Sequence, residues 1–131
     1  MNDSSQPVSA GVENSRMLTF HKLDAYQFSI QFLRLALEVI RDVPRGHADD
    51  IDQLRRSAKS TARNIAEGAG RLSPADKVKH YAIARGEAVE SACSLDVMRL
   101  EGTITEDRYN RGIELLERVI ATVTGLINKP E

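Results

Sequence analysis

The stretch Ser60-Thr61-Ala62-Arg63-Asn64-Ile65-Ala66-Glu67-Gly68-Ala69-Gly70-Arg71 has the spacing of a helix and a stop at its end. Helical neighbours lie three or four residues apart, so Asn64, Glu67 and Arg71 fall on one polar line. Ile51, Leu54, Ala58, Ile65 and Ala69 repeat as an apolar stripe on another side. Gly68-Ala69-Gly70 suits the left-handed backbone that ends many helices. A helix that only filled a core would not require the Asn-Glu-Arg line. Three uses remain for it: a ligand, a nucleic acid or a second copy of the chain.

Moving outward, Asp49, Asp50 and Asp52 complement the dipole of this helix near its start at His47 to Asp50. Pro44-Arg45-Gly46 separates it from a first helix spanning about His21 to Val43. That first helix has two apolar stripes, Leu23-Tyr26-Ile30-Leu33-Leu37-Ile40 and Phe28-Phe32-Leu35-Val39. At ~100° per residue they point about 150° apart. One core takes one stripe. The other needs a second surface, since large apolar faces are seldom left in water. Phe28, Phe32, Leu35 and Val39 are assigned to that second, oligomeric contact.

Downstream, Ser73-Pro74-Ala75-Asp76 is a start signal, with Ser at the N-cap, Pro at N1 and an acid at N3. The third helix carries Val78, Tyr81, Ala84, Ala88, Ala92, Leu95 and Met98 on one face. Gly86 lies mid-helix at a cost of about 1 kcal/mol against Ala, which predicts a close neighbour there. Gly102 and Thr103 to Thr105 form the next turn. The fourth helix repeats Tyr109, Ile113, Leu116, Ile120, Val123 and Ile127 and stops by Pro130. Four amphipathic helices joined by short connections predict an all-α, antiparallel, up-down-up-down four-helix bundle. It covers residues 19–131, behind a flexible polar tail of residues 1–18.

At 131 residues the chain suits one domain with a single core. No apolar run reaches the roughly 18 residues of a membrane span, and the N-terminus lacks a signal-peptide core. One cysteine, Cys93, in an apolar helical pattern reads as a buried structural thiol and fits a reducing compartment. The expected location is the cytoplasm. Net charge is only −1, yet Arg55 to Arg85 contains eight basic and two acidic residues.

Catalytic sets are weak. None of His21, His47 and His80 has a Glu three residues before it, so the metal signature of bundles is missing and surface histidines are expected. Glu67 and Glu90 could pair as carboxylates, but Arg63, Arg71 and Arg85 offer simpler ion pairs. Gly68-Ala69-Gly70-Arg71 lacks the Gly-Lys-Ser/Thr of a phosphate loop. The start of the third helix, beside Arg71 and Lys77, is suited to anions. No enzyme activity, cofactor or metal is expected.

The basic row is more informative. Arg55, Lys59 and Arg63 stand at i, i+4 and i+8, with Arg56 beside them and no acid between Arg55 and Arg63. Charges about 6 Å apart along the axis can track a phosphate backbone. Aromatics for base stacking are scarce, so such binding would be electrostatic and poorly sequence-specific. The alternative is a solvated face that pairs with acidic faces of a neighbour.

The run Arg55-Arg56-Ser57-Ala58-Lys59-Ser60-Thr61-Ala62-Arg63-Asn64-Ile65-Ala66-Glu67-Gly68, then Gly70-Arg71, resembles the signature of four-helix-bundle proteins encoded in intervening sequences of bacterial 23S ribosomal RNA genes. Ile83-Ala84-Arg85-Gly86-Glu87-Ala88-Val89-Glu90 resembles its second half, and the likeness spans about Leu23 to Ile127. The resemblance implies a homopentamer with no known enzymatic activity. It also brings in a related branch, the accessory proteins of diversity-generating retroelements, which form basic pentameric barrels that bind nucleic acid and a reverse transcriptase. Glu87 departs from the Ser usual in the family, and the slight net acidity departs from that basic branch. Arg55, Arg56, Lys59, Arg63, Arg71 and Lys77 are the candidate contacts to RNA or DNA, with RNA favoured. Asn64, Glu67, Gly68, Arg85, Gly86 and Glu90 are the candidate polar seam or subunit interface. The competing expectation is a protein-interaction scaffold in which these charges serve assembly or dock a partner protein.

Overall fold

The computed structural model describes residues 18–131, so the expected tail lies outside the described residues except for Leu18. A short 3-10 turn, Thr19–Lys22, precedes four helices: α1 Asp24–Arg41, α2 Ala48–Gly70, α3 Pro74–Glu101 and α4 Glu106–Asn128. No strand occurs among the described residues. Helix α1 packs on α2 and α4, and α3 packs on the same two, so α1 and α3 stand at opposite corners of a four-helix bundle.

The helix boundaries follow from local chemistry. Ser73 Oγ accepts from the Asp76 amide at 3.1 Å, with Pro74 in the first helical position. Thr105 Oγ1 accepts from the Arg108 amide at 3.2 Å. Gly102 closes α3 in the left-handed conformation at φ 76°, where a Cβ is costly. Helix α2 ends differently from the expectation. Gly68 and Gly70 are helical, and Arg71 leaves in an extended conformation at φ −78°, ψ 154°. Lys77 Nζ then donates to the Ala69 carbonyl at 2.9 Å and reaches the Gly68 carbonyl at 3.4 Å. The ammonium supplies the Ala69 carbonyl with a partner at the helix end, while the Gly68 carbonyl also accepts from the Arg71 amide at 3.2 Å.

The core corrects the assignment of α1. Phe32 and Val39 are 1% and 2% exposed and belong to the subunit's own core, while Phe28 and Leu35 pack half-buried against it. They do not form an open oligomeric face. Of the other stripe, Ile40 is buried and Leu23, Tyr26 and Leu33 pack half-buried against the core, which leaves its outward edge, Ile30, Leu33 and Leu37, nearest to solvent and bordered by Arg34, Glu38 and Arg41. Side-chain size explains the choice. Ala25, Ser29 and Ala36 flank Phe32 on its side of α1 and are all buried, so the helix sits close to its neighbours there. The opposite side carries Arg34 and Arg41, both exposed, and burying unpaired charge is costly.

Helices α2 and α3 meet through small residues. A Cβ built on Gly68 would lie 2.6 Å from Tyr81 Cε1 and 3.2 Å from the Lys77 carbonyl oxygen. Tyr81 is fully buried, and its hydroxyl donates to the Glu131 carbonyl, so the ring has little room to yield. Gly68→Ala is therefore expected to destabilise the subunit by about 1–3 kcal/mol through overpacking, despite Ala's better helix propensity. Urea unfolding monitored by circular dichroism measures it. A neutral or stabilised variant would refute the close-contact reading.

Candidate functional site

The α2–α3 seam is polar along its length. Ser57 Oγ and Ser91 Oγ share a buried hydrogen bond of 2.7 Å, and Thr61 Oγ1 donates to the Ser57 carbonyl at 2.8 Å. One turn on, Asn64 Nδ2 donates to the Ser60 carbonyl at 3.0 Å, and Asn64 Oδ1 lies 3.3 Å from His80 Nδ1. The same His80 nitrogen is 3.3 Å from Glu67 Oε1. So His80 is no free surface histidine. It is the partner of the Asn64–Glu67 line, and its side chain is 16% exposed. Sequence spacing within α2 could not find it, because the pairing runs between helices.

The rest of the expected seam disperses. Gly68 is part of it through Tyr81. Arg71 lies beyond the end of α2 and is exposed. Arg85 turns to α4, where its Nε donates to Thr124 Oγ1 at 2.9 Å. Gly86 and Glu90 face outward, and a Cβ on Gly86 would meet nothing within 4 Å. The close neighbour expected at Gly86 is absent among the described residues. Glu67 and Glu90 do not converge, and Glu67 is paired with His80. Cys93 is exposed rather than buried, because it lies on this same outward side of α3.

The basic row occupies the outward side of α2. Arg56 and Arg63 are exposed, and neither they nor Lys59 make an ion pair among the described residues. Arg55 is 3.8 Å from Asp52, a loose contact one turn earlier. Lys77 is engaged at the end of α2, as described above, so it does not belong to the row. Lys59 and Arg63 also border a shallow groove between α1 and α2, floored by Tyr26, Ile30, Leu33, Ala62 and Ala66.

A second cluster forms where the start of α2 meets the end of α3. His47 Nδ1 lies 3.7 Å from Asp50 Oδ2 and 3.6 Å from Glu101 Oε1. A hydrogen bond with Asp50, helped by desolvation and by the Asp50 charge, holds the Glu101 carboxyl above its ordinary range, while His47 pulls it down. The three offer donor atoms of a kind that ligate cations, all within 4.8 Å of one another. They are half-exposed or exposed. The spacing rule for bundle metals, Glu-x-x-His within one helix, gives no hint of this grouping because its members come from two helices.

Comparison with known proteins bears on the fold. Residues 21–125 match the family model described as 23S rRNA-intervening sequence protein. A crystal structure of a protein of unknown function from the S23 ribosomal protein family of Bacteroides thetaiotaomicron VPI-5482 is similar, with a TM-score of 0.74 and 20% identity. The alignment covers 80% of this chain and 99% of that one. A comparison with curated proteins returns no match.

The Ser57–Ser91 pair makes the seam testable. Ser57→Ala leaves the buried Ser91 hydroxyl without its partner and is expected to cost about 1–3 kcal/mol, and Ser91→Ala is expected to cost less, because Ser57 Oγ keeps the Leu54 carbonyl at 3.4 Å. The double variant removes both hydroxyls and is expected to lose less than the sum, which a double-mutant cycle by chemical denaturation reads directly. Strict additivity would mean the two hydroxyls are not coupled.

Proposed function

Because the chain belongs to the 23S rRNA-intervening sequence protein family, we propose that it is a non-catalytic, homo-oligomeric bundle, five copies as the family resemblance implies, that associates with RNA through phosphate contacts. The observation that carries this reading is the row Arg56, Lys59 and Arg63 on the outward side of α2, cations without an acidic partner among the described residues. Cations held for internal ion pairs would have carboxylates within reach. Arg56 and Arg63 face solvent with half-buried Lys59 between them, at rises of about 4.5 and 6 Å along a rigid helix, a spacing that suits successive phosphates. Arg55 extends the row, and exposed Arg71 adds charge at the α2–α3 corner. The aromatics beside the row, Phe20 and Tyr26, are half-buried in the adjoining groove, so recognition is of charge and shape rather than of base identity.

A second reading has its own support. The open stripe of α1 and the groove beside Lys59 and Arg63 are apolar, which favours a protein scaffold whose charges assist assembly without any nucleic acid. Salt separates the two. Fluorescence anisotropy with single-stranded RNA and with duplex DNA is expected to show binding at about 50 mM salt that weakens steeply towards about 200 mM. Replacing Arg56 and Arg63 together by Gln should lower the slope of log K against log salt by about 1.4 for single strands, at about 0.7 per phosphate contact. Absence of binding at the lower salt would transfer the function to the scaffold reading.

A further inference from the structure

Helix α3 is apolar on two sides. Its inner side fills the core with Tyr81, Ala84, Ala88, Leu95 and Met98. Its outer side carries Ala82, Gly86, Val89, Cys93, Val97 and Leu100, all exposed, at three- and four-residue steps over about 27 Å. Leu100 is 89% exposed and Val89 48%. Helix α1 carries a second outward apolar stripe, Ile30, Leu33 and Leu37, in which Ile30 and Leu33 are half-buried, Leu33 against the core, and Leu37 is 38% exposed. Since α1 and α3 stand at opposite corners, no subunit can cover one face with the other.

From this arrangement we infer that the α1 stripe of one copy docks on the outer face of α3 of the next, joining copies head to tail. The inference deepens the assembly part of the function proposed above and rests on self-association. Three observations choose a second copy as the occupant. First, the borders carry opposite net charge: Arg34 and Arg41, with Glu38 between them, flank the α1 stripe, and Glu90 stands within the α3 face, none of them in an ion pair among the described residues. Second, Gly86 is a helix-weakening residue with open space around it, and with Ala82 it offers the close backbone approach that a docking helix uses. Third, the α3 face has none of the Lys/Arg rows or exposed aromatics that an RNA or an anionic membrane would require. Two dissimilar faces on opposite corners give a heterologous contact, which closes into a ring when the rotation allows.

The single native cysteine lies in the α3 face, so the contact can be trapped. Leu37→Cys places a thiol in the α1 stripe. Under mild oxidation, this variant with Cys93 retained is expected to give a ladder of covalent multimers on a non-reducing gel. The native chain, and L37C combined with C93S, should each remain single chains. Disulfide dimers in the one-cysteine proteins would mean like faces pair, and the inference falls. It also falls if sedimentation shows oligomers but no variant cross-links, because other faces then join the copies. Single chains for the native protein at about 100 μM would remove self-association itself, a different failure. As a second arm, Gly86→Gln enters open space in the subunit, so helicity and thermal unfolding should be retained while the sedimenting mass drops. An unchanged oligomer with G86Q would overturn the docking geometry.

Discussion

Helices α2 and α3 share the most extensive contact of the bundle, and the rest of the molecule is arranged around it. Gly68 receives the ring of Tyr81, and Ser57 and Ser91 meet at 2.7 Å. A buried hydroxyl is costly unless it finds a partner, so each serine specifies the position of the other. With α2 and α3 fixed as a tight pair, α4 and α1 close the bundle from the far side. Gly112 repeats the device there, with Leu95 of α3 and Phe32 of α1 close to where its Cβ would be. Helix α1 packs on α2, α4 and the 3-10 turn, and its outward edge at Ile30, Leu33 and Leu37 stays open among the described residues.

The same contact redistributes the charges. The Asn64–Glu67 line, which spacing alone would offer to a ligand, is satisfied inside the subunit by His80. Lys77 is likewise held by the end of α2. What remains unpaired is the outward side of α2. Segregation of basic residues between Arg55 and Arg85 is therefore only partly a surface property: some of those cations are structural and some are free. Electrostatic reach depends on the free ones.

Much of this was legible in the chain. Ser73-Pro74, Thr105 and Gly102 mark boundaries through capping chemistry that acts over three or four residues, and the structure agrees to within a residue or two. The bundle itself followed from the periodicity. Helix α1 was ambiguous because two stripes share the same spacing. Counting large apolar residues missed Ala25, Ser29 and Ala36, whose small size marks the side that packs closely. Cys93 looked buried because its neighbours are apolar, yet α3 is apolar on both sides and periodicity does not say which one faces inward. His80 and the His47–Asp50–Glu101 cluster were beyond reach for a different reason. Their contacts join separate helices, and Asp50 and Glu101 approach each other only once the bundle closes.

Lys77 closes the α2–α3 corner with an amine, where many helix ends use a left-handed glycine. A glycine cannot be chemically altered, whereas a lysine amine accepts acyl groups. Acetylation there would keep the aliphatic stem and abolish the positive charge that now meets two carbonyl dipoles. The last turn of α2 would loosen, and Arg71 at that corner would move with it. A neutralising modification at one buried-edge amine thus reaches both the exposed cation beside it and, in the same turn, Gly68 against Tyr81.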